Sequence, residues 1–237
     1  MDRFGGAPLD AIKLAAAVLM VGDHVDTILL DGGAPWLWRL GRAAYPLFAL
    51  VAALHLARGA DARAYAGALL LWAVPTQLVY ALAFPYGSTE ASILVTLAMG
   101  AVLADALERA GAWRHLAFAA GLAACLLAPD LARTGVDFGL AGVLLPPALL
   151  GALRRPRTDG AWLALTLVAL NASGWHPPGE SRLVSTLSAA LVGAAALGLA
   201  AWLGPRLAGR PRFLPARALQ LFYPAHLAVL AATRSLT

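Results

Sequence analysis

Four ionisable residues with side chains capable of chemistry lie inside apolar stretches of the sequence. Asp23 and His24 interrupt the run LMVGDHVDTILL, Arg42 lies in the next apolar run, and His226 lies in the last one. Burying such a group near the centre of a bilayer costs about 2.5–3.5 kcal/mol, so each of them indicates a functional site. Imidazole acts near neutral pH as a base or a nucleophile.

The spacing predicts which of these residues are partners. Neighbouring residues of a helix point about 100° apart, so Asp23 is not expected to orient His24. We expect Asp23 to pair with Arg42 across a helix interface, because an opposite charge reduces the cost of burying both. His24 is then left to exchange a proton.

The elements that must position these residues are membrane helices. Apolar runs of roughly 17–25 residues are long enough to cross a bilayer. We predict an all-α polytopic transmembrane bundle, a single integral-membrane domain over residues 1–237, with about nine spans (eight to ten). The spans are Leu9 to Leu30, Trp36 to Arg58, Arg63 to Phe84, Glu90 to Leu107, Trp113 to Pro129, Val136 to Leu153, Ala161 to Ser173, Leu183 to Leu203 and Pro215 to Ala232.

The amino-acid composition agrees with a membrane protein and argues against a soluble domain, a nucleic-acid-binding protein and a disulfide-bonded protein. Of the 237 residues 60% are hydrophobic and 13% are charged, whereas a soluble domain has roughly 25% charged residues. The net charge of +5 comes from arginines between apolar runs, which argues against nucleic-acid binding. The single cysteine, Cys125, excludes an intramolecular disulfide and a thiolate metal cluster, and we predict no metal site.

Loop charges predict the topology. Alternate loops hold most of the arginines, so by the positive-inside rule these loops and the N-terminus are cytoplasmic. The seventh predicted span is short. Removing it would move the four arginines of the last basic loop outside, so nine spans fit better than eight. These arginines are Arg206, Arg210, Arg212 and Arg217.

Depth and proline positions predict a cavity. His24 and His226 each lie six positions from the outer end of a predicted span, and Arg42 lies six positions after an outer start, so all three share a level. Pro46 and Pro224 flank this level, and Pro75 adds a third break beside Gln77. Each proline frees a backbone carbonyl, which is tolerated in a membrane where something else satisfies it. A wet or ligand-filled cavity would account for these features together.

Several motifs resemble the TraX family of multi-pass membrane proteins. They are IKLAAAVLMVGDHVDTIL, GRAAYPLFALVAALHLARG, PTQLVYALAF, DFGLAGVLL and LFYPAHLAVL, in the first, second, third, sixth and ninth spans. The similarity is collinear over nearly the whole chain. The family pattern maps onto Asp23, His24, Gly41, Arg42, Pro46, Tyr223, Pro224 and His226. Phe138 and Ala141 stand where the pattern has tyrosines, and Ser92 where it has asparagine.

The resemblance implies acyl transfer, because the founding member of the family is associated with N-terminal acetylation of conjugative pilin. It implies a multi-pass protein of the bacterial inner membrane that moves an acetyl group from acetyl-CoA to an amine or hydroxyl acceptor, such as a pilin N-terminus or an envelope glycan. The implied partners are membrane lipid, acetyl-CoA and an acceptor protein or glycan, with no nucleic acid.

Roles for individual residues follow from this reaction. His24 would act as general base or carry the acyl group, Arg42 would stabilise the oxyanion, and Asp23 would hold Arg42. His226 would protonate the leaving thiolate or replace His24 as base, and the sequence leaves both open. The remaining candidates are Gln77, Tyr223, Asp137 and Tyr45 for substrate, and Lys13, Arg58 and Arg63 for the phosphates of coenzyme A.

Two readings of other classes remain open at this stage. Intramembrane Asp, His and Arg around broken helices also fit a proton-coupled transporter or channel. A non-catalytic scaffold for pilus or envelope assembly would need the helices without these side chains.

Overall fold

The computed structural model describes residues 4–84, 90–128, 135–172, 176, 179–215 and 218–236. The predicted span ends at Pro129 and Ser173, and the loop arginines Arg3, Arg133 and Arg217, lie outside these residues. Within them the chain is all-helical apart from an isolated parallel bridge between Ala91 and Val136.

Ten helices run through the described residues. They are α1 (Ala7–Leu29), α2 (Pro35–Gly41), α3 (Ala44–Ala57), α4 (Ala62–Ala83), α5 (Ile93–Arg109), α6 (Trp113–Leu127), α7 (Gly139–Arg154), α8 (Pro156–Ala172), α9 (Arg182–Leu207) and α10 (Ala218–Arg234).

Each of the nine predicted spans overlaps a helix. The second and seventh predicted spans differ from the helical segments that they overlap. The second span is broken between α2 and α3, which places Pro46 in the first turn of α3, where its missing N–H needs no partner. The seventh span is longer than predicted, because α8 already begins at Pro156 and has 17 residues.

Within the part of the chain that the structure describes, three segments could cross a membrane by length and composition: Pro35–Ala57, Ala62–Ala83 and Arg182–Leu207. Trp113–Leu127 and Gly139–Arg154 are apolar but shorter. The chain is therefore a membrane protein in character, whereas nine crossings and a cytoplasmic N-terminus stay predictions.

The core lies around α3 and α7. Most residues of these two helices are buried, which agrees with their apolar composition on every side. α7 packs against α3, α5 and α8, and α1 packs against α3 and α10. On α4, by contrast, an exposed stripe is apolar and would face lipid; it consists of Leu71, Val74, Leu78 and Leu82.

Contacts among the described residues gather helix ends at two opposite ends of the bundle. We call the end that carries Arg58, Arg154, Arg155 and Arg212 the arginine face, and the opposite end, with Asp31, Glu90 and Asp137, the cavity face. At the arginine face Glu108 of α5 pairs with Arg154 and Arg155. Hydrogen bonds to Glu108 and Asp159 raise the pKa of the Arg155 guanidinium above its usual value.

Candidate functional site

The two histidines of the first and last helices are in direct contact. Nδ1 of His24 lies 2.8 Å from Nε2 of His226, and the two rings are nearly parallel. Nδ1 of His226 lies 3.0 Å from the carbonyl oxygen of Phe222, one turn earlier in α10. Each histidine is only 9% exposed. The shared depth predicted for these residues therefore corresponds to a hydrogen bond.

Asp23 and Arg42 form the predicted ion pair. One terminal nitrogen of Arg42 donates to both carboxylate oxygens of Asp23, at 2.9 and 3.0 Å. The guanidinium carbon also lies 5.3 Å from the ring centres of Trp38 and Phe138, within the range of a cation–π contact. Arg42 is thus held in place by a carboxylate and two aromatic rings.

Phe138 reaches this position through an uncommon backbone conformation. Its φ of 62° is left-handed, which is unfavourable for a bulky residue, and it immediately precedes the first residue of α7. The ring stacks on Tyr45 with centres 4.4 Å apart. Backbone strain of this kind persists where the surroundings impose it, and here it places an aromatic ring against Arg42.

A cavity of about 550 Å³ joins these groups. Six of the predicted site residues line it: Asp23, His24, Arg42, Tyr45, Asp137 and Tyr223. The residues of α1 that line it run from Met20 outward, and Asp31, Glu90 and Arg234 contribute from the same end. The cavity therefore lies toward the cavity face, and His24 and Arg42 share it.

Two predicted site residues support the cavity without lining it. His226 is hydrogen-bonded to His24 and is not among the lining residues. Gln77 fixes the chain that precedes α5, because its amide nitrogen donates to the Glu90 carbonyl at 2.8 Å and its amide oxygen accepts from the Ser92 N–H at 2.9 Å. Glu90 itself lines the cavity.

Tyr45 and Asp137 are tied to the backbone around the cavity wall. The Tyr45 hydroxyl donates to the carbonyl of Gly142 at 2.7 Å, and the residue is fully buried. The carbonyl of Asp137 accepts from the Thr96 hydroxyl at 2.7 Å, and its N–H donates to the Ala91 carbonyl. These bonds leave the Asp137 side chain to line the cavity.

The structure brings two of the three cations predicted for coenzyme A close to one side chain. Lys13 and Arg58 lie near His55 at the arginine face, and their charges act on it together with that of Arg212. Arg63 is exposed at the start of α4. The prediction missed Arg212. This residue comes close to Lys13 and Arg58 because Asp10 of α1 binds the backbone N–H groups of Phe213 and Leu214, the two residues that follow it.

Sequence reasoning also missed Trp38, Phe138 and Asp26. Asp26 is 1% exposed, and its carboxylate accepts from the Ala34 N–H at 2.7 Å, which fixes the start of α2. Its spacing of three residues from Asp23 was the available signal. Among the described residues, no group of three or more His, Cys, Asp or Glu side chains could hold a metal ion.

Comparisons with known proteins agree with the family resemblance. The family model described as TraX protein matches residues 8–234. A protein from Escherichia coli named Protein TraX is 34% identical over 229 residues, which cover 93% of this chain and 85% of that protein. Protein TraX of Escherichia coli strain K12 is 36% identical over 232 residues, with the same coverage. No solved structure matches.

Proposed function

Because the chain belongs to the TraX family, we propose that it is an integral-membrane acyltransferase that moves an acetyl group from acetyl-CoA to an amine or hydroxyl acceptor. The observation that carries the proposal is one cavity lined by both an imidazole, His24, and a fixed guanidinium, Arg42. A base next to an oxyanion-stabilising cation is what transfer from a thioester requires.

In the proposed reaction an imidazole removes the proton from the acceptor N–H or O–H. The lone pair of the acceptor attacks the thioester carbonyl carbon, and the carbonyl oxygen becomes an oxyanion. The C–S bond then breaks, and the thiolate takes up the proton and leaves as the thiol. Should His24 itself attack first, the acyl group would pass through the imidazole to the same acceptor.

Arg42 is suited to the oxyanion, and Asp23 holds it there. A charge fixed by the surrounding protein costs no reorganisation as the oxyanion forms, and exclusion of water strengthens its effect. The carboxylate of Asp23 and the rings of Trp38 and Phe138 restrict the guanidinium to one orientation. Asp23 is in this scheme a positioning residue.

The acetyl donor would approach from the arginine face. Lys13, Arg58 and Arg212 supply positive charge there, suited to the phosphates of coenzyme A. Lys13 lies roughly 16 Å from His24 along α1, at about 1.5 Å per residue. The extended pantetheine arm of coenzyme A spans a comparable distance, and Met20 would have to move aside for the thioester to reach the cavity.

The acceptor would enter from the cavity face, where Asp137, Glu90 and Tyr223 line the cavity. With the arginine face in the cytoplasm of a bacterial cell, as the positive-inside rule predicts, this face lies outside the inner membrane. A pilin N-terminus or an envelope glycan would meet the cavity there. The acetylation associated with the founding member of the family supports the first of these.

The test is acetyl transfer by purified protein in liposomes with labelled acetyl-CoA and an amine-bearing peptide. We expect transfer by the native protein and a loss of roughly 10²-fold or more in His24→Gln. His115→Gln is the matched control, because His115 accepts a hydrogen bond from Trp162 and does not line the cavity. Proton flux without acetyl transfer would overturn the proposal in favour of a transporter, and an active His24→Gln variant would remove His24 from the reaction.

A further inference from the structure

The hydrogen bonds of the two histidines fix where their protons lie. A carbonyl oxygen only accepts, so Nδ1 of His226 must carry the hydrogen in its bond to Phe222. Neutral imidazole has one N–H, so Nε2 of His226 carries a lone pair. Nδ1 of His24 must then donate to that lone pair across the 2.8 Å contact.

This assignment leaves one nitrogen for a substrate. With its hydrogen on Nδ1, His24 has its lone pair on Nε2, the opposite of the tautomer that neutral imidazole favours in water. Both nitrogens of His226 are engaged, one with Phe222 and one with His24. His24 lines the cavity, whereas His226 is not among its lining residues.

We propose that Nε2 of His24 is the basic or acyl-accepting atom and that His226 is a positioning residue that holds His24 in its Nδ1–H tautomer. The roles in acyl transfer rest on the proposed function, but the tautomer does not. When Nε2 of His24 takes up a proton, the ring becomes cationic and its Nδ1–H becomes a stronger donor to His226. His226 thereby orients the base and stabilises its charged form, as a carboxylate does in a catalytic triad.

The packing around the pair supports a fixed orientation. Phe84 contacts the His24 ring edge-on, with centres 5.1 Å apart, and Phe222 stacks on His226 at 5.0 Å. Tyr223 lies 6.5 Å from His24 and 5.5 Å from His226. These aromatic neighbours restrict rotation of both imidazoles. The hydrogen bonds from Phe222 through His226 to His24 are therefore held in one arrangement.

The experiment is nitrogen-15 NMR of protein labelled at its five histidines, with two-bond correlations that distinguish the two tautomers. His24→Gln assigns the signals. We expect His24 of the native protein as the Nδ1–H tautomer. A native His24 found as Nε2–H overturns the proposal directly, whether or not any variant folds and whether or not acetyl transfer occurs.

Two substitutions of similar polarity separate positioning from a merely structural role. In His226→Gln the side-chain oxygen can reach the place of Nε2 and accept from His24, so we expect the tautomer to be kept and transfer to stay within about tenfold. In His226→Asn the amide reaches only the place of Nδ1, so His24 loses its partner; the Nδ1–H tautomer and most transfer activity should be lost. Equal tautomers in the two variants would contradict the proposal.

The two hypotheses fail in distinguishable ways. Absence of acetyl transfer with an Nδ1–H tautomer at His24 would overturn the proposed function and leave the positioning by His226 in place. Transfer together with the other tautomer would do the reverse.

Diethyl pyrocarbonate adds a second readout, because it reacts with unprotonated imidazole nitrogen: we expect modification of His24 and protection of His226.

Discussion

The backbone of Gly41 lies directly against the side chain of Asp23. A Cβ atom added at Gly41 would overlap both the Cβ and a carboxylate oxygen of Asp23. Only glycine therefore lets α2 approach α1 closely enough for the next residue, Arg42, to meet the same carboxylate. The glycine that precedes Arg42 in the second apolar run is therefore required for the ion pair to form.

Replacing this glycine should displace α2. We expect Gly41→Ala to lower the free energy of unfolding by about 1–3 kcal/mol, because the added methyl group has no room. Gly67→Ala is the matched control, since nothing lies within 4 Å of a Cβ at that helical position. Thermal unfolding in detergent measures both. Equal stability of the two variants would contradict the close approach.

The ion pair of Asp23 and Arg42 should couple energetically. We expect a double-mutant cycle of Asp23→Asn and Arg42→Gln, measured on the free energy of unfolding, to give a coupling energy of roughly 0.5–3 kcal/mol. Both groups are largely shielded from water. The exposed pair of Asp105 and Arg109 within α5 provides the control cycle, with about 0.3–0.5 kcal/mol expected. A coupling at Asp23 and Arg42 no larger than the control would show that the pair is solvated.

Asp10 should behave as a backbone-binding residue of the arginine face. It is fully buried, and one carboxylate oxygen, Oδ2, accepts the N–H groups of both Phe213 and Leu214, at 3.0 Å each. Asp10→Leu leaves two donors unpaired, so we expect a loss of about 1–3 kcal/mol or more in unfolding free energy.

The matched variant is Asp10→Asn, whose single oxygen can occupy the place of Oδ2. We expect it to keep most of the stability and to lose only the 3.5 Å contact with Arg212. If Asn and Leu were equally destabilising in the same unfolding experiment, the charge of Asp10 would matter more than its hydrogen bonds.

Cysteine labelling tests the predicted topology at its seventh span, which corresponds to α8. Arg157 and Arg182 are exposed and stand on either side of α8. With nine spans and a cytoplasmic N-terminus, Arg182→Cys reacts with a membrane-impermeant maleimide in spheroplasts, whereas Arg157→Cys reacts only after permeabilisation. Cys125→Ala supplies the background, since Cys125 is the single cysteine. Labelling of both positions from the same side would show that α8 does not cross the membrane.

The sequence by itself determined the helical architecture and the main charged partners. Apolar runs of membrane-spanning length require helices, because a bilayer offers no other partner for backbone groups. The positions of Asp23, His24, Arg42 and His226 relative to the ends of those runs were enough to predict a shared depth, since depth follows from residue number at a fixed rise per residue.

Tertiary structure alone decided which neighbouring helix each side chain faces. Residue number gives the depth of a side chain in the membrane but does not say which helices are neighbours. The contact of His24 with His226 depends on α1 packing against α10. Arg212 joined Lys13 and Arg58 through backbone bonds to Asp10, which no local pattern signals. Phe138 meets Arg42 because the chain before α7 takes a left-handed turn held by long-range packing.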